Sequence, residues 1–143
     1  MNEYFMEKAF KEAEKAYKKG EVPVGAVIVK NGKIIGKGYN KKEKTKNALM
    51  HAELIAIKNA CKKNKDWRLN DCVMYVTLEP CLMCMGAIVE SRITNIYCGV
   101  KNAKSNLYNM KVSDIGNIKI QYGILENEIK RQIENFFYCI RKQ

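Results

Sequence analysis

Apolar residues recur between Tyr4 and Lys19 at Phe5, Met6, Ala9, Phe10, Ala13, Ala16 and Tyr17, the spacing of a helix, with Gly20 as its stop. Val24 to Val29 reads as a buried strand, and Asn31-Gly32 is a tight-turn dipeptide leading into a second strand, Lys33 to Tyr39. A polar, lysine-rich loop follows. His51 opens a helix that runs to about Lys63, with Leu54, Ile55 and Ile57 supplying its apolar faces. Val73 to Leu78 is a third strand. Pro80 stands just ahead of a helix from about Cys81 to Ser91, where proline is tolerated because early helical amides need no internal acceptor. Ile93 to Val100 gives a fourth strand, Ile118 to Tyr122 a fifth, and Leu125 to Arg141 a closing helix. Strands alternating with helices of this length predict an α/β fold, a three-layer α/β/α sandwich around a mixed five-stranded sheet.

The chain has 143 residues, 47% of them apolar, which fits one domain over 1–143 with a real core; no repeat or linker interrupts it. No apolar run approaches the length needed to cross a bilayer, so no membrane partner is expected. The segment Met1-Asn2-Glu3-Tyr4-Phe5-Met6-Glu7 is acidic and lacks the basic-then-apolar layout of a secretion signal. A cytoplasmic protein is the expectation. Six cysteines invite a disulfide framework, but without an export signal that reading is weak, and only Cys81 and Cys84 stand at metal-ligand spacing. The others, Cys61, Cys72, Cys98 and Cys139, read as small buried hydrophobes. Net charge is +11, a field that attracts polyanions and makes nucleic acid the first partner to consider. Of the basic residues 22 are lysine and 4 arginine, a bias that an AT-rich genome also produces without selection for binding.

The chemistry concentrates in His51-Ala52-Glu53 and Pro80-Cys81-Leu82-Met83-Cys84. One imidazole and two thiolates fill three corners of a tetrahedron, and a zinc held by three protein ligands keeps a position for water, as catalytic sites do. Both segments fall where a helix begins, and the positive end of a helix favours the thiolate form at Cys81 and Cys84. His51 and Glu53, two positions apart, share a site only if the helix starts there. His51 is the sole histidine, so no other imidazole competes. Zinc held by His51, Cys81 and Cys84 would acidify a water toward attack on a ring carbon that carries an amine, with Glu53 moving the protons. His-x-Glu with a later Pro-Cys-x-x-Cys is the known signature of zinc deaminases of nucleobases, so the match is a recognition.

The chain resembles the bacterial tRNA adenosine deaminases, which convert the wobble adenosine of an anticodon to inosine. The matching stretches are Glu21-Val22-Pro23-Val24-Gly25-Ala26-Val27, Gly38-Tyr39-Asn40, His51-Ala52-Glu53, and Thr77-Leu78-Glu79-Pro80-Cys81-Leu82-Met83-Cys84-Met85-Gly86-Ala87-Ile88. Ser91-Arg92-Ile93 and Phe136-Phe137 match as well, so the likeness covers nearly the whole length. It implies a cytidine-deaminase-like fold, one Zn²⁺ per subunit, a homodimer, and the tRNA anticodon arm as partner. It also implies that Asn40 hydrogen-bonds the target base; read from its place between strand and loop, Asn40 could equally turn the backbone. Glu79 belongs to the motif without an assigned role.

The chain departs from the family after the fourth strand. Lys101-Asn102-Ala103-Lys104-Ser105-Asn106-Leu107-Tyr108-Asn109-Met110 replaces a glycine-containing loop near the anticodon. Lys41, Lys42, Lys44 and Lys46 crowd the loop before His51, either as a rim for RNA phosphates or as a solvated run. Lys130, Arg131, Arg141 and Lys142 flank the last helix, where Phe136 and Phe137 are core or stacking platform. Two rival functions share these residues. A deaminase of a free base or nucleotide (guanine, cytosine or dCMP) uses the same ring chemistry, although such relatives often carry proline where this chain has Leu82. A non-enzymatic RNA-binding module with structural zinc would need a fourth ligand from Cys61, Cys72 or Cys98.

Overall fold

A computed structural model describes residues 2–102 and 117–142. Its elements are α1 (Asn2–Lys18), β1 (Gly25–Lys30), β2 (Lys33–Tyr39), α2 (Lys42–Thr45), α3 (Ala52–Asn64), β3 (Cys72–Leu78), α4 (Leu82–Glu90), β4 (Asn95–Val100), β5 (Lys119–Gln121) and α5 (Glu126–Arg141). The sheet runs in the order β2-β1-β3-β4-β5. β1 is antiparallel to β2 and β3, while β3, β4 and β5 are parallel, so the sheet is mixed as predicted. The β1–β2 turn places Asn31 and Gly32 at φ 51° and 75°, the left-handed pair that the dipeptide favours.

Strand residues alternate between two cores because successive side chains leave a strand on opposite faces. Ala26, Ile28, Met74, Val76, Ile96 and Cys98 pack with Ala52, Ala56 and Ala60 of α3 and Met85 and Ile88 of α4. Val27, Val29 and Tyr75 face the other way, against Phe5, Met6 and Ala9 of α1 and Ile129 of α5. Helices thus cover both faces, which is the predicted three-layer sandwich. On the α3 side, β2 offers Gly36 and Gly38, where a Cβ would run into the carbonyl oxygens of Ala56 and Ala52. Strand backbone and helix backbone are nearly in contact there, and this seam holds the N-terminal end of α3 against the end of β2.

Most element bounds lie within a residue or two of the sequence expectation, and some differences bear on the site. Helix α3 begins at Ala52, with His51 as its N-cap in extended backbone, and α4 begins at Leu82, with Cys81 as N-cap. The lysine-rich loop contains a single helical turn, α2, that its polar sequence does not announce. β4 starts at Asn95 because Arg92 turns the chain at φ 71°. β5 has only three residues. The expectation about 101–110 lies, beyond Asn102, outside the described residues. No described helix is long and apolar enough to cross a membrane.

Candidate active site

Parallel strands bring the ends of β3 and β4 to one edge of the sheet, where the start of α3 and the start of α4 meet. His51 Nδ1 lies 3.6 Å from Cys81 Sγ and 3.5 Å from Cys84 Sγ. The three donor atoms all fall within 4.8 Å of one another. Zn–S bonds of about 2.3 Å and a Zn–N bond of about 2.0 Å at tetrahedral angles put nitrogen and sulfur about 3.5 Å apart, so both observed N···S separations match a shared zinc. Both outer ligands occupy N-caps, His51 at φ −84°, ψ 153° and Cys81 at φ −75°, ψ 174°. An extended N-cap swings its side chain out of the helical spiral. That explains how His51 and Glu53, only two apart, reach one place. Among the described residues no further His, Cys, Asp or Glu joins this group; Cys61, Cys72 and Cys98 are outside it. The structural-zinc reading therefore finds no fourth ligand among the described residues.

Glu53 is buried beside the cluster, and burial pushes its carboxyl up to about 7 against the opposing pull of its own backbone amide and of His51. Hydrogen bonds from Cys84 and His51 hold the Cys81 thiol down at about 4, whereas Cys84 is driven upward, first by its hydrogen bond to Cys81 and then by burial. The His51 imidazole is raised, first by its hydrogen bond to Cys81. A cation of charge two replaces the protons that this arrangement otherwise needs.

The cluster floors a cleft of about 200 Å³ whose wall includes Asn40, Glu53, Glu79 and Asn102. That is below the roughly 300–1,000 Å³ of pockets for drug-sized ligands, and suits one ring system. Asn40 is nearly buried; its Nδ2 donates to Val22 O (3.3 Å) and its Oδ1 accepts from Lys42 N (3.1 Å). It turns the backbone, one of the two readings of Asn40 from sequence, and it also lines the cleft.

Two buried carboxylates matter that sequence alone does not reveal. Glu21 accepts from the amides of Glu43 (2.9 Å) and Lys44 (2.8 Å), which fixes α2 at the cleft rim. Glu79 accepts from the Asn102 amide (3.2 Å) and, in a short hydrogen bond, from the Tyr122 hydroxyl. Burial and the Glu79 carboxylate push the Tyr122 phenol well up, so it remains a donor. Both glutamates lie inside matched motifs, but only their burial and partners give them work.

The rim beside Asn40 is basic. Lys19 Nζ donates to the Tyr39 hydroxyl (2.9 Å), and the ammonium groups of Lys19 and Lys41 stand 5.3 and 4.8 Å from the Tyr39 ring centroid. The phenol is drawn below its ordinary value, first by the Lys19 hydrogen bond and then by the Lys41 and Lys44 charges. The ion pairs among the described residues, Lys15–Glu12 and Arg68–Asp66, involve none of these lysines. At the far helix, Phe136 is buried against Tyr17 while Phe137 is partly exposed, so the pair divides between core and surface.

A His/Cys/Cys donor set with a buried carboxylate, on a helix-covered mixed sheet, defines a mononuclear zinc hydrolase domain. Residues 1–100 match the family described as the cytidine and deoxycytidylate deaminase zinc-binding region. The chain is 41% identical over 140 residues to a curated tRNA-specific adenosine deaminase of Streptococcus pyogenes serotype M18, covering 94% of this chain and 88% of that protein. It is 40% identical over 148 residues to that of Bacillus subtilis strain 168, covering 99% and 92%. A solved structure from work on A-to-I editing by tRNA:A34 deaminases superposes at TM-score 0.83 with 33% identity, over 90% of this chain and 98% of that one. A Bacillus subtilis guanine deaminase superposes at 0.67 with 35% identity, over 79% and 73%. The chain is a zinc-dependent deaminase, and it belongs to the tRNA-specific adenosine deaminase family within the cytidine and deoxycytidylate deaminases.

Proposed function

We propose that this protein converts adenosine to inosine at the wobble position of tRNA. The observation that carries the chemistry is the meeting of His51, Cys81 and buried Glu53 in the lining of one base-sized cleft, with Cys84 buried against His51 behind them. His51 Nδ1 and the two cysteine Sγ atoms would hold zinc, which would supply the Lewis acidity that activates a water for attack. Glu53 takes that water's proton as its oxygen adds to the ring carbon bearing the amine, then gives the proton to the adjacent ring nitrogen. A second proton, passed from the added hydroxyl to the amine, lets the C–N bond break, so water and adenosine leave as ammonia and inosine. Asn40 spends one N–H and one lone pair on the backbone, and the amide's remaining donor and acceptor are available to a base edge.

Support for tRNA over a free base comes from the relatives named above and from the basic rim. Incubating the purified protein with an anticodon stem-loop, and separately with free adenosine, adenine, guanine, cytosine and dCMP, tests it. Inosine at the wobble base is expected; turnover of free substrates alone would leave the guanine-deaminase-like alternative. Lys19 and Lys41 should contact phosphate: a K19A/K41A protein should show a salt slope of log affinity for the stem-loop shallower by about 1.4, at roughly 0.7 per contact. An unchanged slope would mean that these lysines are merely solvated.

We further propose a homodimer. Helix α4 is apolar on more than its buried side: Leu82 and Val89 are exposed and, with Gly86, follow an i, i+4, i+7 line along one face. A self-complementary contact there would brace the helix that carries Cys81 and Cys84. L82D should shift the protein to monomer in light scattering; a wild-type monomer at micromolar concentration would end the idea. None of the six cysteines is paired in a disulfide, consistent with action in the reducing cytoplasm, where tRNA is found.

A further inference from the structure

We propose that Tyr122 is a substrate-contacting residue, a fixed aromatic platform on which the nucleotide flanking the target base stacks; this rests on the RNA reading above. Glu79, Asn102 and Tyr122 follow the ends of β3, β4 and β5, three parallel strands that finish at the same sheet edge. Glu79 and Asn102 line the cleft, and Tyr122, outside that lining, is tied to it through its hydroxyl on the Glu79 carboxylate. Tyr122 is 38% exposed as a residue although its hydroxyl is anchored on Glu79, which is only 9% exposed. The backbone behind it is turned by Gly123 at φ 97°, whose amide donates to Gly99 O (3.2 Å). A ring held at its far end and at its backbone has little rotational freedom left to lose, so stacking on it costs little entropy.

Lys101 adds charge at the same place. Its Nζ lies 4.9 Å from the Tyr122 ring centroid and in no ion pair among the described residues. With the Lys101 ammonium over one face of the ring, the proposed stack uses the other face, and a base there with its phosphate near the lysine is the recurring unit of single-strand recognition. A free base enclosed by the cleft would not reach a ring outside it. A platform at this position therefore serves a polynucleotide.

The test is steady-state kinetics on an anticodon stem-loop with unaltered protein, Y122F and Y122A, each checked for zinc content and melting temperature. Y122A should raise KM roughly ten- to hundredfold, the range for loss of one base–aromatic stack, with kcat changed a few-fold at most. Y122F keeps the ring and loses only the anchor, so its KM should rise much less. A stem-loop made abasic at the nucleotide on one side of the target should then be handled alike by unaltered protein and Y122A, while an abasic site on the other side leaves their difference intact. An unchanged KM for Y122A, or an equal loss on all three RNAs, would overturn the contact, the latter by making Tyr122 purely structural. Should the unaltered protein form no inosine in the stem-loop, the proposed function falls and this contact with it.

Discussion

Glu53→Ala is expected to cut the rate of inosine formation by about 10²- to 10⁴-fold or more, the span typical of a positioned proton shuttle, while zinc content and melting temperature hold. Stability should survive because burial, the first cause of the raised Glu53 pKa, makes the ionised carboxylate a cost to the fold rather than a support. Glu53→Gln sharpens the test, since it keeps the shape and removes the titrating group. Single-turnover assays at saturating stem-loop read the chemical step directly. A variant within tenfold of the parent would show that another group carries the protons.

Cys84→Ala should lose both metal and activity. Cys84 is fully buried, stands 3.5 Å from His51 Nδ1, and lies outside solvent that might replace it as a ligand. With one of three donors gone, zinc measured by mass spectrometry should fall from one per chain toward zero, and inosine formation should drop below detection. Prolonged chelation of the unaltered protein should have the same kinetic result and also lower the melting temperature by several degrees. Ligand binding at 100 times Kd contributes about 2.7 kcal/mol, and each kcal/mol is worth about 2–8 °C in domains of this range. Full zinc occupancy in the alanine variant would refute the ligand assignment.

The strand and helix pattern was legible because its period is set by which face is buried, and each of the five strands and four longer helices can be read from apolar spacing. The α2 turn was not, since Lys42–Thr45 owes its shape to two amides donating to Glu21 from far upstream in the chain. The donor cluster was legible from residue type and spacing, and the sequence constraint that α3 begin at His51 is met by its N-cap geometry. What stayed hidden was partnership. Nothing in Thr77-Leu78-Glu79-Pro80 announces that Glu79 receives hydrogen bonds from residues on two other strand ends. Long-range pairing of a single polar side chain leaves no period in the sequence.

The glycine–alanine seam between β2 and α3 has a consequence for how such an enzyme can change. With main chain resting on main chain at Gly36 and Gly38, there is no cushion of side chains to absorb an inserted methyl, and any shift is levered onto the imidazole at the helix tip. Innovation in what this scaffold accepts should therefore accumulate in the surrounding loops, where contacts can be exchanged piecemeal. The reacting floor is inherited as a rigid casting, and the doorway is the part open to revision.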